Sequence, residues 1–498
     1  LFAEKAEIES LRPFDWPLEF EQTLKSGGFD AVVGNPPYVT GQFMPDEQIE
    51  YLKKHYESAF GKFDLYMVFL EKAVKLTNKT GMVGFIIPNK FMFTKSGQGL
   101  RAFLATKQIS EIVDFGDSGV FEGVTNYPCI IIIGATTAPE FIYRACHSKP
   151  EFELHRVEVS RKKLGPAPWT FSQRDEAEVL DKLRQASHQK LEDVIQRFST
   201  GVQTGADKIF LPDRETVSAR KLEKEVLRKC LRGRNVKRYA VMWDGHYIVW
   251  PYDRSGEILS EDQVKKAHHI FERLSGEKSK LASRVWFDKS ARELSGEWFG
   301  LMYREPDENF EKLQIISPCL ADRTQFALNE NGFRFVTGTA GVLGLIPIDN
   351  SRENCLYLLA VLNSAVTEFF IKKTSPKFAG GFYKFTAPYL KPLPLPPLDM
   401  NSKEGKAMFT KIVKMADTML LMLHKLSKAK TESQRKIILG TIRATGRRID
   451  DVVFDAFDLT EGDIKVLLRG VNEVQAHHPD TKAEAAAAGI AGNTPGLA

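Results

Sequence analysis

Asn35-Pro36-Pro37-Tyr38 brings together a carboxamide, two prolines and an aromatic ring directly after the apolar run Phe29–Val33. Prolines cannot continue a sheet, and they hold the backbone they occupy. Asn35 offers a side-chain carbonyl as acceptor, and the Pro36 carbonyl is a second acceptor whose direction the Pro36-Pro37 pair locks. Tyr38 supplies a flat face. Two acceptors aimed at one point suit a primary amine on an aromatic ring, such as the exocyclic amine of a nucleobase. That nitrogen is a poor nucleophile because its lone pair is delocalised into the ring. Drawing on both hydrogens favours a tetrahedral nitrogen and frees the pair, which is electrostatic preorganisation where positive charge develops. The plain alternative is a proline-rich turn carrying a half-buried tyrosine.

The elements around the loop must place it at a strand end. Residues 27–134 alternate strand and helix. Phe29–Val33 reads as a buried strand and Phe63–Leu76 as a helix with Leu65, Val68, Phe69, Ala73 and Leu76 on one face. MVGFII (82–87) is a strand closed by Pro88, Gly99–Lys107 a helix, and EIVDF and YPCIIIIGA further strands. Such alternation predicts an α/β fold: a parallel-rich sheet covered by helices, with ligands at the carboxyl ends of its strands.

At 498 residues the chain exceeds one core. A hydrophobic fraction of 43% and a charged fraction of 27% fit globular domains, and a net charge of +5 leaves the distribution of charge to decide. Cys129, Cys146, Cys230, Cys319 and Cys355 form no C-x-x-C pair, which argues against a disulfide framework or zinc site and fits a reducing cytoplasm. No apolar run reaches the roughly 18 residues of a membrane span, and no signal peptide opens the chain. Because residue 1 is leucine, a fragment or processed product is expected.

Ser172-x-x-Asp175 caps a helix over 173–186, and Ser351-x-x-Asn354 precedes another that buries Leu356, Leu359, Val366 and Phe370. Short strands, glycines and aromatics dominate between Arg197 and about 350. LKPLPLPPL (390–398) marks a boundary. Beyond it, Met408, Ile412, Met415, Met419, Met422 and Leu426, then Ile438, Ile442, Thr445, Ile449, Val452 and Ala456, outline an antiparallel helical hairpin.

Charge is concentrated in one run. Arg220–Arg238 holds nine Lys or Arg and two Glu. A solvated helix face is the usual reading of such a run. Arg232, Arg234, Lys237 and Arg238, however, surround a glycine in an expected loop, where they could reach a phosphate backbone. Lys372, Lys373, Lys377 and Lys384 around Gly380-Gly381 form a second basic loop. Three other features carry less. Gly97-x-Gly99-x-x-Ala102 imitates a dinucleotide fingerprint but lies nine residues from the strand at Ile87. His268-His269 and His477-His478 lack metal-ligand spacing. Pro306-Asp307 has no properly spaced partner for a nuclease set.

FDAVVGNPPYV resembles the catalytic motif of the adenine-specific DNA amino-methyltransferases. FDLYMVFLEKAVKLTNKTGMVGFIIPNKFM and IVDFGDSGVFEGVTNYPCIIII resemble the segments that follow it. TGVQTGADKIF, LRGRNVKRY, FAGGFYKFTAPYLKPLPLPP and RIDDVVFDAFDLTEGDI resemble the target-recognition region of single-chain type IIG restriction–modification enzymes, so the likeness runs over nearly all of residues 15–470.

The resemblance implies an N-terminally truncated Rossmann-like methyltransferase core over 1–150 and a helical linker over 151–195. It implies a β-rich recognition domain over 196–400, while spacing and composition add the hairpin over 401–475 and a disordered tail over 476–498. It also implies methyl transfer from S-adenosylmethionine to a flipped-out adenine in double-stranded DNA. Asn35 and Pro36 would then bind the amine, Pro37 would hold the loop, and Tyr38 and Phe121 would pack on the base. Arg232, Arg234, Lys237, Arg238, Lys377 and Lys384 would meet DNA. One departure stands: only 34 residues precede Asn35, and they contain no glycine-rich cofactor loop. Apart from Asn35, the S-adenosylmethionine pocket, and any nuclease, would lie upstream of Leu1. Two alternatives remain open: a silent DNA-recognition piece needing an upstream segment, and a methyltransferase acting on another amine or outside restriction.

Overall fold

The computed structural model describes residues 14–115, 127–134, 138–146, 154–169, 171, 174–378 and 381–472. The chain divides into two compact units, Leu1–Arg174 and Asp175–Ala498.

The first unit is built on a six-stranded sheet: β1 (Phe29–Gly34), β2 (Thr77–Pro88), β3 (Ile109–Asp114), β4 (Pro128–Gly134), β5 (Glu140–Cys146) and β6 (Leu154–Ser160), in the order β1-β2-β4-β3-β5-β6. β1 pairs with β2 and β3 with β5 in parallel, while β4 runs antiparallel between β2 and β3, and β6 antiparallel to β5. Four strands therefore share one direction, and β1, β2 and β3 end at one edge. The shared direction of β1, β2 and β3 fits the helices that connect β1 to β2 and β2 to β3, because a parallel return needs a crossover connection. The strand β6 falls where the sequence placed a helical linker.

Three helices matter to the site: α1 (Asp46–His55), α2 (Leu65–Leu76) between β1 and β2, and α3 (Gln98–Ala105) between β2 and β3. The core unites Tyr66, Met67 and Leu70 of α2, Phe85 and Ile87 of β2, and Leu100, Phe103 and Leu104 of α3 with Ile112 and Ile131. The buried face of α2 is thus rotated from the expected one, leaving Phe69 exposed. The helix is apolar almost all round, so periodicity alone does not orient it. Glu71, also buried, accepts the Ser58 N–H at 2.8 Å and pairs with Lys75 at 2.6 Å, fixing the turn before α2.

One expectation fails at β1. The strand is not buried: it is the outer strand of the described sheet, and Val33 is 84% exposed.

The second unit begins within α4 (Arg174–Ala186) and continues into small, mostly antiparallel sheets. The largest joins β7 (Ile195–Ser199), β8 (Gln314–Pro318), β9 (Ala327–Asn329) and β10 (Val342–Pro347) in the order β9-β8-β10-β7. Trp250, Phe299, Phe310 and Phe335 centre one apolar core. Another lies under α5 (Arg352–Leu362) and α6 (Ala365–Thr374), which meet at a 59° bend. Ser351 caps α5 by accepting the Asn354 N–H, as its position predicts. The expected hairpin forms as α7 (Lys403–Lys428) and α8 (Glu432–Ala456), and α9 (Glu461–Asn472) follows. α7 packs on α5, and α9 on α6. Among the described residues no single helix is long and apolar enough to cross a membrane.

Candidate functional site

At the end of β1 the chain turns out of the sheet. Asn35 and Pro37 are exposed, Pro36 is buried and Tyr38 is half-buried. The Tyr38 hydroxyl donates to the Ile86 carbonyl of β2 at 3.1 Å, and its ring stands edge-on to Tyr66 with centroids 6.2 Å apart. Burial pushes the Tyr38 phenol above its usual pKa, so it stays a donor. After Tyr38 the backbone pairs across to the start of α2: Leu65 N–H donates to the Val39 carbonyl at 2.8 Å and Gly41 N–H to the Phe63 carbonyl at 2.9 Å. A side chain at Gly41 would meet that Phe63 carbonyl at 2.9 Å, so glycine permits the approach. The loop is held by backbone and by one phenol, while the Asn35 carboxamide remains exposed.

The same edge carries a polar group that sequence reasoning missed. Asn89, just past β2, is buried; its Nδ2 donates to Asp114 Oδ1 at 2.9 Å and its N–H to the Tyr127 carbonyl at 2.8 Å. Tyr143 Oη donates to Asp114 Oδ2 at 2.9 Å. These bonds tie the ends of β2 and β3 together. A polar residue after a buried strand, as in IIPNKF, was the available clue. Phe121 lies outside the described residues.

In the second unit the structure brings only parts of the two basic loops near one short strand, since Lys372 and Lys373 lie on α6 and pair with Glu368 and Glu176. Gly233–Asn235 forms a tight helical turn and Val236–Lys237 a strand. Lys237 is half-buried and faces Asp322 and Arg323; burial lowers its pKa, and the two neighbours act in opposite directions. Those neighbours follow Leu320–Ala321, which pairs with Phe382–Lys384, and this strand in turn pairs with Lys377–Phe378. Lys237, Lys377 and Lys384 therefore flank the same small sheet, with Arg323 as an addition that no basic run announced.

Other cations of the set have protein partners. Arg234 pairs with Asp244 at 2.7 Å, and Arg238 Nη2 donates to the Asn363 carbonyl at 2.7 Å. Lys384 sits 4.9 Å from the centre of the Phe378 ring. Arg232 is half-buried, and its N–H donates to Asn235 Oδ1 at 2.7 Å.

The weaker sequence features have structural occupations. A side chain at Gly97 or Gly99 would strike the backbone of Phe91 or Glu57, so these glycines allow close packing. His269 Nδ1 lies 2.9 Å from Glu223, and His268 Nε2 lies 3.2 Å from Glu272. Asp307 opens a short helix and pairs with Arg334. Among the described residues no group of three or more His, Cys, Asp or Glu could hold a metal ion.

Two family models match the chain: the Eco57I restriction-modification methylase over residues 3–121 and the TaqI-like C-terminal specificity domain over residues 228–395. The chain is 25% identical over 448 residues to the type II methyltransferase M.BstVI of Geobacillus stearothermophilus, covering 84% of this chain and 77% of that protein. It is 24% identical over 436 residues to the type II restriction enzyme and methyltransferase RM.Eco57I of Escherichia coli, covering 80% of this chain but 42% of that protein. Among solved structures, the type IIL restriction-modification enzyme MmeI in complex with DNA aligns with a TM-score of 0.64 and 15% identity, over 93% of this chain and 59% of that one. The chain thus spans only part of its longer relatives.

Proposed function

We propose that this chain, which carries an Eco57I-type methylase segment followed by a TaqI-like specificity domain, is a type II DNA methyltransferase of a restriction–modification system in which Asn35 and Pro36 activate the exocyclic amine of an adenine for methylation. The carrying observation is the loop itself: Tyr38 is anchored on Ile86 and residues 39–41 on 63–65, while Asn35 stays exposed. Asn35 Oδ1 and the Pro36 carbonyl accept the two amine hydrogens and bring the nitrogen lone pair out of conjugation. Tyr38 offers its ring to the base, and Phe121 is proposed to pack beside it. The base must leave the duplex to reach these groups, because its amine is inaccessible while stacked. Lys237, Lys377 and Lys384, joined by Arg323, are the proposed phosphate contacts, with Arg232, Arg234 and Arg238 in supporting positions. The setting proposed is the bacterial cytoplasm, where double-stranded DNA is the substrate.

S-adenosylmethionine is the proposed donor, and it supplies an electrophilic methyl group on a positive sulfur. The described residues do not enclose a nucleoside: β1 has an unpaired outer edge, Val33 is open, and Asn35 is the one pocket residue proposed. A further segment, preceding this one in the polypeptide or supplied by a partner, is therefore proposed to complete the pocket, and a nuclease could accompany it.

The test is transfer of labelled methyl groups to unmethylated genomic DNA, followed by digestion to nucleosides. N6-methyladenine is the expected product. Asn35→Ala should lower transfer by at least about 100-fold, the usual effect of losing one preorganised acceptor or donor, with DNA affinity kept. Full activity of Asn35→Ala overturns the assignment. The open edge of β1 favours a second reading, a recognition and acceptor module that is silent until completed. Calorimetric titration of this chain alone with S-adenosylmethionine tests that second reading, since binding overturns the silent module.

A further inference from the structure

A buried carboxylate stands behind the loop, and the methylation chemistry does not use it. Asp64 is 3% exposed. Its backbone bridges Thr40, through the two hydrogen bonds that join residues 39–41 to 63–65. Its side chain pairs at 2.8 Å with Lys90 Nζ, and Lys90 is half-exposed in the turn immediately beyond β2. The two fastenings of the loop therefore reach the same strand end: Tyr38 on Ile86, and Asp64 on Lys90. Two residues beyond Asp64, Tyr66 is fully buried, edge-on to Tyr38, with no hydrogen-bond partner for its hydroxyl among the described residues.

We propose that Asp64 and Lys90 are a positioning pair that sets the Asn35–Tyr38 loop against the carboxyl end of β2. The proposal rests on the reading of that loop as the amine site. An ion pair on an open surface contributes little, but here one partner has lost its water. Removing Lys90 leaves Asp64 as an uncompensated buried charge. The stranded carboxylate then draws water in, and that loosens the 39–41/63–65 pairing. Asn35 and Pro36 depend on that pairing for their aim, and a misplacement of about 1 Å in a positioning group can cost a large factor in rate. Lys90 itself does not touch the base in this scheme. It acts through Asp64.

Hydrogen exchange at the Gly41 and Leu65 amides reads the pairing directly, on the intact chain and whether or not the preparation transfers methyl groups. Lys90→Met should reduce protection at both amides by about tenfold or more, and Lys90→Arg should restore it. Asp64→Asn combined with Lys90→Met should lose no more than either single change, because the pair acts as a unit. Where transfer is measurable, Lys90→Met lowers kcat and leaves KM for DNA unchanged. Unaltered protection in Lys90→Met overturns the proposal. So does a loss of DNA affinity in Lys90→Met that Asp64→Asn does not share, since that outcome makes Lys90 a phosphate contact. Failure of Asn35→Ala to affect transfer would refute the amine site while leaving this measurement intact.

Discussion

The Asn35–Tyr38 loop and the Arg232–Arg238 loop are held in opposite ways. The first is fastened by backbone pairing, by a single phenol and by an ion pair that lies outside the loop, and the Asn35 carboxamide is left exposed. The second is fastened by its own cations. Arg234 is committed to Asp244 and Arg238 to the Asn363 carbonyl. Asp244 shows how firm that commitment is. Burial works against its charge, yet hydrogen bonds from His246, Arg234 and Asn235 bring its carboxyl down to about 2. Asn35 therefore carries no holding role in its loop, whereas Arg234 and Arg238 carry one in theirs.

The largest expected effect tests whether backbone acceptors really organise the first unit. Arg101, on α3, is buried and gives all five of its hydrogen bonds to carbonyls of Phe91, Thr94, Pro166 and Ala167. Burial lowers its pKa to about 10, so it remains charged in neutral solution. It binds the segment that follows β2, and with it Asn89 and Lys90, to the stretch before Trp169. Arg101→Ala leaves four carbonyls without their donor and opens a cavity, which should cost about 3–5 kcal/mol. Denaturant unfolding monitored in the first unit measures it. A loss below about 1 kcal/mol would show that the carbonyls find other donors, and that the contrast between the loops is overstated.

A smaller effect of opposite sign is expected in the second unit. The Asp450 carboxyl, on α8, accepts the Ala365 N–H at 2.8 Å and faces Arg238, Glu368 and Asp451. Burial raises its pKa from 3.8 to about 6, with Arg238 and the Ala365 N–H only partly opposing. Between those two values the folded chain holds a proton that the unfolded chain has released. Stability therefore falls as pH rises through that window, and the penalty is complete above about 6. Asp450→Asn keeps an acceptor for Ala365 and removes the charge. It should stabilise the second unit by about 1–2 kcal/mol at pH 7.5, a figure reduced for partial solvent access, and flatten the dependence between pH 4 and 6. Destabilisation at pH 7.5 would mean that the Asp450–Arg238 attraction outweighs the burial cost, making the basic loop still more strongly fastened by charge.

Legibility in the sequence follows the same division. The strand–loop junction at Asn35 and the helices α2, α3, α5, α7 and α8 were readable, because their signals are local: proline, capping residues and apolar spacing. The burial of β1 was misread. An apolar run looks the same in a central strand as in an outer one, and only the sheet's partners distinguish them. The orientation of α2 was misread for a related reason, since Phe69 and Tyr66 are equally apolar in a pattern. The pairing of Asn89 with Asp114 was invisible because 25 residues separate them and the sheet alone brings them together. Arg323 was missed because it stands outside any basic run, and Lys237 gains it as a neighbour only through tertiary folding.

The smallest effects sharpen the comparison most, because they separate a cation that holds the fold from one that is available to DNA. Lys377 is exposed on the edge strand of its small sheet, whereas Arg234 already has Asp244. Each phosphate contact releases about 0.9 counterion from duplex DNA, so its loss reduces the salt dependence of binding by roughly one unit. Lys377→Ala should therefore weaken DNA binding by about three- to tenfold near physiological salt and lower the slope of log K against log salt by roughly one. Arg234→Ala should change affinity by less than about threefold and leave the slope alone, because breaking its pair with Asp244 removes no phosphate contact. Titrations of labelled duplex at several salt concentrations measure both quantities. If Arg234→Ala shows the larger change in slope, the guanidinium exchanges Asp244 for phosphate on binding, and its pairing in the free protein is a resting position.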